Sequence, residues 1–316
     1  MADVEAVVRE AFGPGASVPY SEKLPGGASR ETWALDVADG GERHELILRL
    51  DSPGATLEAG GSLAAEATLM RAAYEAGVPV PEIVAAAETY ILMTRIAGET
   101  IPRKILRDER FRDARPRLAE QCGEALAAVH RMPLSAVPEP TGAGTDPLRQ
   151  WRDVLDLTGQ PHPVFELAFR RLAASRPTGG RQTVVHGDFR NGNLIVGPGG
   201  IRAVLDWELS HAGDPVEDLG WLCVKAWRFG SPLPVGGFGD YDDLIRAYEK
   251  ASGHLVDREA LRWWETFGVL KWGVICVMQA MRHLHGGARS VELAAIGRRV
   301  CENEWDLLQL LENPLR

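Results

Sequence analysis

The run His186-Gly187-Asp188-Phe189-Arg190-Asn191-Gly192-Asn193 sets two oxygen-bearing side chains, Asp188 and Asn193, on one glycine-bearing loop, and Asp206 follows a short way on. Thr183-Val184-Val185 leads in as a strand, and Leu194-Ile195-Val196 begins a second. Gly197-Pro198-Gly199-Gly200 is a four-residue turn, and Ile201 to Trp207 returns. Pairing Val196 with Ile201 sets Asn193 opposite Val204. Asp206 then becomes a diagonal neighbour of Asn193, roughly 7–8 Å away by backbone. Two such side chains can share one hard cation such as Mg2+. Asp188 lies just outside the strand, free to meet a hydroxyl group and accept its proton. The same residues also suit a plain hairpin whose polar groups only satisfy turn backbone. The Asn at this spacing and the following Asp favour chemistry. His186 reads as a structural hydrogen-bonder holding the loop rather than as a base.

A stretch mixing strands with one clear helix precedes this centre. Leu24 to Trp33 is a glycine-bearing turn entering a strand near Trp33 to Val37, and His44 to Leu50 is the next strand. Ser62 to Ala76 reads as a helix, stopped by Gly77 and Pro79, with Leu63, Ala67, Met70 and Tyr74 as its apolar stripe. Glu66 falls on the edge of that stripe, and a carboxylate turned inward wants a cation. Strands follow at Ile83 to Ala87 and Tyr90 to Thr94. From 97 onward the pattern is mostly helical: Arg115 to Arg131, Asp153 to Arg176 with a break at Gly159 to Pro163, Val216 to Phe229, Tyr241 to Ser252, Asp257 to Leu284 and Ser290 to Leu311. This predicts an α+β, bilobal plan. Residues 1–96 form a small β-rich lobe, and residues 97–316 form a larger, mostly helical one with a cleft between.

Composition narrows the partners. At 316 residues, 45% hydrophobic and 25% charged, the chain can bury full cores. A net charge of -9 argues against nucleic acid, which needs a basic face. The acidic start has no signal-peptide character, and the longest apolar run, near Trp272 to Met278, is too short for a bilayer. Cys122, Cys223, Cys276 and Cys301 are scattered among apolar neighbours and read as buried thiols in a reducing cytoplasm. No membrane partner is expected, and oligomeric state is unreadable.

Phosphoryl transfer would use these residues well, because it needs positioning and charge neutralisation more than covalent help. Gly26 and Gly27 with Ser29 can bring backbone N–H groups to phosphate oxygens, although Pro-Gly-Gly is equally a tight turn. Arg49, ending Leu46-Ile47-Leu48-Arg49, can grip phosphates in a fork, and Glu66 would orient it. Asn193 and Asp206 would hold the metal, and Asp188 would align the acceptor hydroxyl.

Taken together, His186-Gly187-Asp188…Asn193 and Val204-Leu205-Asp206-Trp207-Glu208…Gly213-Asp214-Pro215…Asp218-Leu219 resemble the aminoglycoside phosphotransferase/choline kinase-like family of the protein-kinase-like superfamily. The resemblance runs from about Leu24 into the helix near Val216. It implies a bilobal protein-kinase-like fold, ATP with Mg2+, and γ-phosphate transfer to a small-molecule hydroxyl. It further implies Asp188 as the catalytic residue, Asn193 and Asp206 as metal ligands, and Arg49 and Glu66 as the nucleotide-orienting pair. Met93, Thr94, Arg95 and Ile96 would meet adenine through backbone, and Asp214 and Asp218 would brace the loop. Arg49 in place of Lys, Asp-Trp-Glu in place of Asp-Phe-Gly, and an incomplete glycine motif depart from protein kinases and speak against a protein substrate.

The rivals are a catalytically silent nucleotide-binding protein of this fold, which has no need of all three site residues, and a metal-dependent phosphohydrolase, which would want more ligands than His211 and Glu208. From Leu219 to Val300 there are 11 Lys and Arg against eight Asp and Glu. An aminoglycoside site should be rich in carboxylates. Here Lys225, Arg228, Lys271 and Arg282 stand among Trp221, Trp227, Trp263, Trp264 and Trp272, which suggests an acceptor with an apolar body and an anionic end. Solvated charges and core tryptophans are the competing explanation. Asp206-Trp207-Glu208-Leu209-Ser210 also resembles kinase domains joined to acyl-CoA dehydrogenases, which implies hydroxyacyl candidates.

Overall fold

The computed structural model describes residues 2–24, 30–51, 62–137, 146–286 and 290–312. An N-terminal helix, α1 (Ala2–Phe12), precedes strands β1 (Ser17–Lys23), β2 (Arg30–Asp39) and β3 (Glu42–Asp51). Helix α2 (Leu63–Glu75) and strands β4 (Ile83–Ala87) and β5 (Tyr90–Thr94) follow. The five strands make one antiparallel sheet in the order β1-β2-β3-β5-β4. Side chains alternate across it. Leu46, Leu48, Tyr90 and Leu92 pack with Val4, Val7 and Val8 of α1, whereas Ile91 and Met93 join α2 in the main core. Neither α1 nor β1 was expected from the sequence; β1 carries an exposed, irregular pattern with a register shift.

Ser62 caps α2 by accepting from the Ala65 N–H at 3.3 Å, and Gly77 ends it at φ +85°, a conformation glycine adopts without penalty. The expected stripe holds for Leu63, Ala67 and Met70, but Tyr74 is 60% exposed. Glu66 faces inward.

The remaining chain is largely helical: α3 (Pro102–Arg107), α4 (Leu118–Val129), α5 (Pro147–Leu157), α6 (Pro163–Ala174), α7 (Val216–Cys223), α8 (Tyr241–Ser252), α9 (Arg258–His285), α10 (Val291–Gly297) and α11 (Val300–Glu312). Four short strands interrupt it. β6 (Thr183–Val185) pairs with β9 (His211–Gly213), and β7 (Leu194–Gly197) pairs with β8 (Gly200–Val204). Two expected long helices are broken. The one after residue 216 stops at Cys223 and gives way to a 3-10 turn, and the C-terminal one divides into α10 and α11. The α5–α6 break falls at Thr158 to His162, close to expectation.

The mixed α+β architecture, sheet first and helices after, is that of a protein-kinase-like fold. One core runs from α2 through α4, the β7–β8 hairpin and α7; a second joins α5, α6, α9 and α11. Helices α7 and α9 touch at Gly220, where a Cβ would meet the Trp264 side chain at 2.6 Å. That close approach sets Trp221 beside the loop it must reach. Cys122, Cys223 and Cys276 are buried; Cys301, against expectation, is exposed. No helix among the described residues is long and apolar enough to cross a membrane.

Candidate active site

Strand β6 delivers His186 into a fully buried position. Its Nε2 lies 3.1 Å from the Leu205 carbonyl and its Nδ1 accepts from the Asp188 N–H at 3.2 Å, which assigns the Nε2–H tautomer. Burial holds its pKa below the ordinary value, so it stays neutral and braces the loop. Gly187 has φ +82°, and a Cβ there would meet the Leu209 carbonyl at 2.4 Å. The N–H groups of His186 and Gly187 both donate to Asp218, at 2.7 and 2.9 Å. Burial alone would raise the Asp218 pKa, but its hydrogen bond with His130 and these N–H groups hold it low. Asp214 does a different job: it accepts from the Val216 N–H at 2.9 Å in a side-chain turn just ahead of α7.

Asp188 sits at the centre with three side-chain donors. Asn193 Nδ2 is 2.6 Å away, Trp221 Nε1 2.7 Å, and Arg190 Nε 3.0 and 3.1 Å from its two oxygens. Asn193 Nδ2 also donates to the Asp188 carbonyl at 3.0 Å. Its Oδ1 is thereby turned away from Asp188, and no hydrogen bond among the described residues claims it.

The hairpin register differs from expectation by one residue. Val196 does face Ile201, but a bulge lies between Ile195 and Val196, so Val204 pairs with Leu194 instead of Asn193. The Leu205 N–H then donates to the Asn193 carbonyl at 2.8 Å. In a regular strand that slip would turn Asp206 to the other face. Asp206 instead adopts φ 69°, a conformation that short polar side chains tolerate better than most. Burial raises its pKa; Arg49 and Arg190 pull it back, while Asp188 and Glu66 add to the rise.

Asp206 accepts no hydrogen bond among the described residues, and Arg49 Nη2 stands 4.0 Å from it. A free amide oxygen and a carboxylate whose charge is disfavoured by burial fit a hard dication, which would restore the ionised form. No group of three or more His, Cys, Asp or Glu among the described residues is placed to hold a metal alone. Water and phosphate oxygens would have to complete a Mg2+ shell, as they commonly do.

Arg49 pairs with Glu66, which is only 3% exposed. Arg30 was missed in the sequence. It reaches Glu66 at 2.8 Å, Glu208 at 3.2 Å and Asp51 at 3.2 Å, tying the sheet to the Asp-Trp-Glu segment. At the end of β5 the Thr94 and Arg95 N–H groups donate to Glu82 and Glu45 carbonyls, each at 2.9 Å. Of the four expected adenine-facing residues these two have no free N–H to offer, and the Arg95 side chain turns to Asp36 and Glu45. Gly26, Gly27 and Ser29 lie outside the described residues.

The four cations expected around the acceptor do not act alike. Lys225 is paired with Asp306 and Arg228 with Glu265, while Arg282 is exposed. Only Lys271 reaches the loop: it is 7% exposed, 3.4 Å from the Gly187 carbonyl, 3.5 Å from Glu217 and 4.7 Å over the Trp221 ring. Trp221, Trp227, Trp263 and Trp264 all belong to the second core and Trp272 packs against it, as the competing explanation expected. Trp221, Trp227 and Trp272 make a contiguous aromatic set next to Asp188. Arg190, two residues from Asp188, was overlooked, although that spacing in the sequence was the available signal.

A Ralstonia eutropha protein provisionally named an aminoglycoside phosphotransferase superimposes over 100% of this chain and 99% of its own, at TM-score 0.74 and 21% identity. ADP-bound aminoglycoside phosphotransferase APH(2'')-Ib does so over 98% and 97%, at TM-score 0.61 and 15% identity. Among curated sequences, mouse acyl-CoA dehydrogenase family member 10 is 32% identical over 233 residues, which is 68% of this chain and 21% of that protein. The chain spans between 21% and 40% of the length of the curated relatives it matches. The model of the phosphotransferase enzyme family (APH) matches residues 22–264, and the chain belongs to that family.

Proposed function

We propose that this chain is a small-molecule kinase that moves the γ-phosphoryl group of ATP, taken as its Mg2+ complex, to an alcohol hydroxyl. The observation that carries the reading is Asp188 held by Asn193 and Trp221, with Arg49, anchored on Glu66, 4.0 Å from Asp206. When bound, Mg2+-ATP supplies the transferable group and much of the neutralising charge. Asn193 Oδ1 and Asp206 would hold the ion. Arg49 would grip the phosphates in its fork. Gly26, Gly27 and Ser29 would approach them through backbone. Met93, Thr94, Arg95 and Ile96 would border the adenine. Asp188 aligns the acceptor hydroxyl and takes its proton late, as the new O–P bond forms and ADP departs.

For the acceptor we favour hydroxyacyl compounds over aminoglycosides. The mouse relative is named for acyl-CoA chemistry, and the side chains that bond Asp188 are Asn193, Trp221 and Arg190, with Lys271 over the Trp221 ring; none is a carboxylate of the kind ammonium groups require. The test is ATP-dependent phosphorylation of hydroxy acids, their coenzyme A thioesters and kanamycin by the purified chain. Transfer to the hydroxyacyl compounds is expected, with little to kanamycin. Aminoglycoside phosphorylation with kcat/KM above ~10⁴ M⁻¹s⁻¹ would overturn the acceptor assignment. Tight Mg2+-ATP binding without transfer to any hydroxyl compound would favour a silent nucleotide-binding protein.

A further inference from the structure

Buried indoles in this fold generally find an acceptor. Trp207 donates to the Val204 carbonyl at 3.2 Å, and Trp263 to the Leu172 carbonyl at 2.9 Å. Trp221 donates to Asp188. Two indoles break the pattern: the Nε1–H groups of Trp227 and Trp272 are shielded from solvent and have no hydrogen-bond partner among the described residues. Their rings lie against each other, centroids 4.8 Å apart, and Trp227 packs on Trp221 at 5.3 Å. Trp227 is itself only 5% exposed. A buried donor left unmade is costly, and two side by side next to a candidate active site ask for an acceptor that the described residues do not supply.

Arg190 covers Trp227. Its guanidinium lies 4.7 Å over the Trp227 ring and bonds Asp188 through Nε alone. Its terminal Nη groups make no hydrogen bond among the described residues. On the other side of Trp221, Lys271 is offset by Glu217, and Glu217 in turn pairs with His211. His211 is held protonated by that pairing, with a pKa of about 9.

We propose that Arg190 and the indole N–H groups of Trp227 and Trp272 form an anion subsite beside Asp188, so that the acceptor is a hydroxy compound bearing a carboxylate. The proposal rests on the kinase reading and adds to it the charge of the acceptor and the groups that read it. Asp188 is now saturated by Arg190, Asn193 and Trp221. A carboxylate that draws Arg190 to itself releases the lone pair that Arg190 holds on each Asp188 oxygen, while Trp221 and Asn193 stay bound, so the anion both binds and opens the base to the hydroxyl. A neutral analogue does neither.

The test uses the full chain with short-chain 2-, 3- and 4-hydroxy acids and their matching amides. Binding is followed by calorimetry with Mg2+-ADP present, and turnover with Mg2+-ATP is followed separately. Wild type should bind at least one acid about tenfold to hundredfold more tightly than its amide, the range of a charge-assisted hydrogen bond. Arg190→Gln and Trp227→Phe should each lose most of that preference. Equal binding of acid and amide, no binding of any acid, or a preference unchanged in both variants overturns the subsite. Phosphorylation of acids and amides alike removes the subsite and leaves the kinase reading standing. Acid binding that depends on Arg190 and Trp227, without transfer from ATP, does the reverse.

Discussion

Asn193 donates through one amide nitrogen to both the carbonyl and the carboxylate of Asp188, at 3.0 and 2.6 Å. One residue thus fixes the candidate base and turns its own oxygen away from it, leaving that oxygen for the metal proposed above. Asn193→Asp separates the two roles. It keeps an oxygen ligand but cannot donate, and it sets a second negative charge against Asp188. We expect kcat to fall about tenfold to hundredfold, the worth of a hydrogen bond to a charged group, with only a small change in Mg2+-ATP affinity. Asn193→Ala should lose both. Steady-state kinetics with nucleotide titration checks this, and an unchanged kcat in Asn193→Asp would refute the orienting role.

Among the described residues Asp188 makes no hydrogen bond to Arg49 or Glu66, the pair proposed to orient the nucleotide. Asp188→Asn keeps its shape but removes the proton acceptor. Phosphoryl transfer should drop by roughly 10²–10⁴-fold, the usual contribution of general acid–base catalysis. Calorimetry should find ATP bound nearly as in wild type. Comparable turnover by the two proteins, on a verified acceptor, removes Asp188 from the chemistry.

Glu66 is the shared anion of Arg30 and Arg49, whose side chains are 10% and 16% exposed. Glu66→Ala would leave two guanidinium groups facing each other with Asp51, Glu208 and Asp206 as weaker partners. Stranding a buried charge typically costs roughly 3–5 kcal/mol. Urea denaturation should show a loss of that order, and Mg2+-ATP affinity should fall with it. Wild-type stability in Glu66→Ala would mean that the pair is unimportant to the fold.

The Asp-x4-Asn spacing, the hairpin turn and the strand-to-helix order could be read in advance because each is a local pattern: turn residues, period-two alternation, caps such as Ser62. The bulge at Ile195 could not, because a one-residue slip leaves the composition of both strands unchanged. Nor could the fate of the cations. Lys225 is neutralised by Asp306 and Arg228 by Glu265, both far along the chain. Arg30 was hidden for the same reason: its value lies in Glu66 and Glu208, which only the fold brings to it. Trp221 was recognisable as an aromatic near the site, but not as a donor to Asp188, since that depends on how closely Gly220 lets α7 approach α9.

His211 and Glu217 make the fold sensitive to alkaline pH. Burial by itself disfavours the His211 imidazolium, but its hydrogen bond and charge attraction to Glu217 outweigh this and raise the pKa to about 9. A raised pKa contributes stability that is complete below the unfolded value of about 6.5 and is lost as pH climbs through the folded one. Between them the folded protein keeps a proton that the unfolded chain has released. Tm should therefore decline from about pH 6.5 to 9. The His211 side chain is 38% exposed, so water screens the pair and the decline is modest. Lys271 opposes the imidazolium from the far side of Glu217, and Asp218 neighbours Glu217. The buried thiols of Cys122 and Cys223, held protonated by burial, add their own decline toward the alkaline end. His211→Gln isolates the histidine contribution, because it can still donate to Glu217 but cannot titrate. Calorimetric scans from pH 6 to 10 should show a shallower slope in His211→Gln than in wild type; parallel profiles would show that the pair does not govern the alkaline loss.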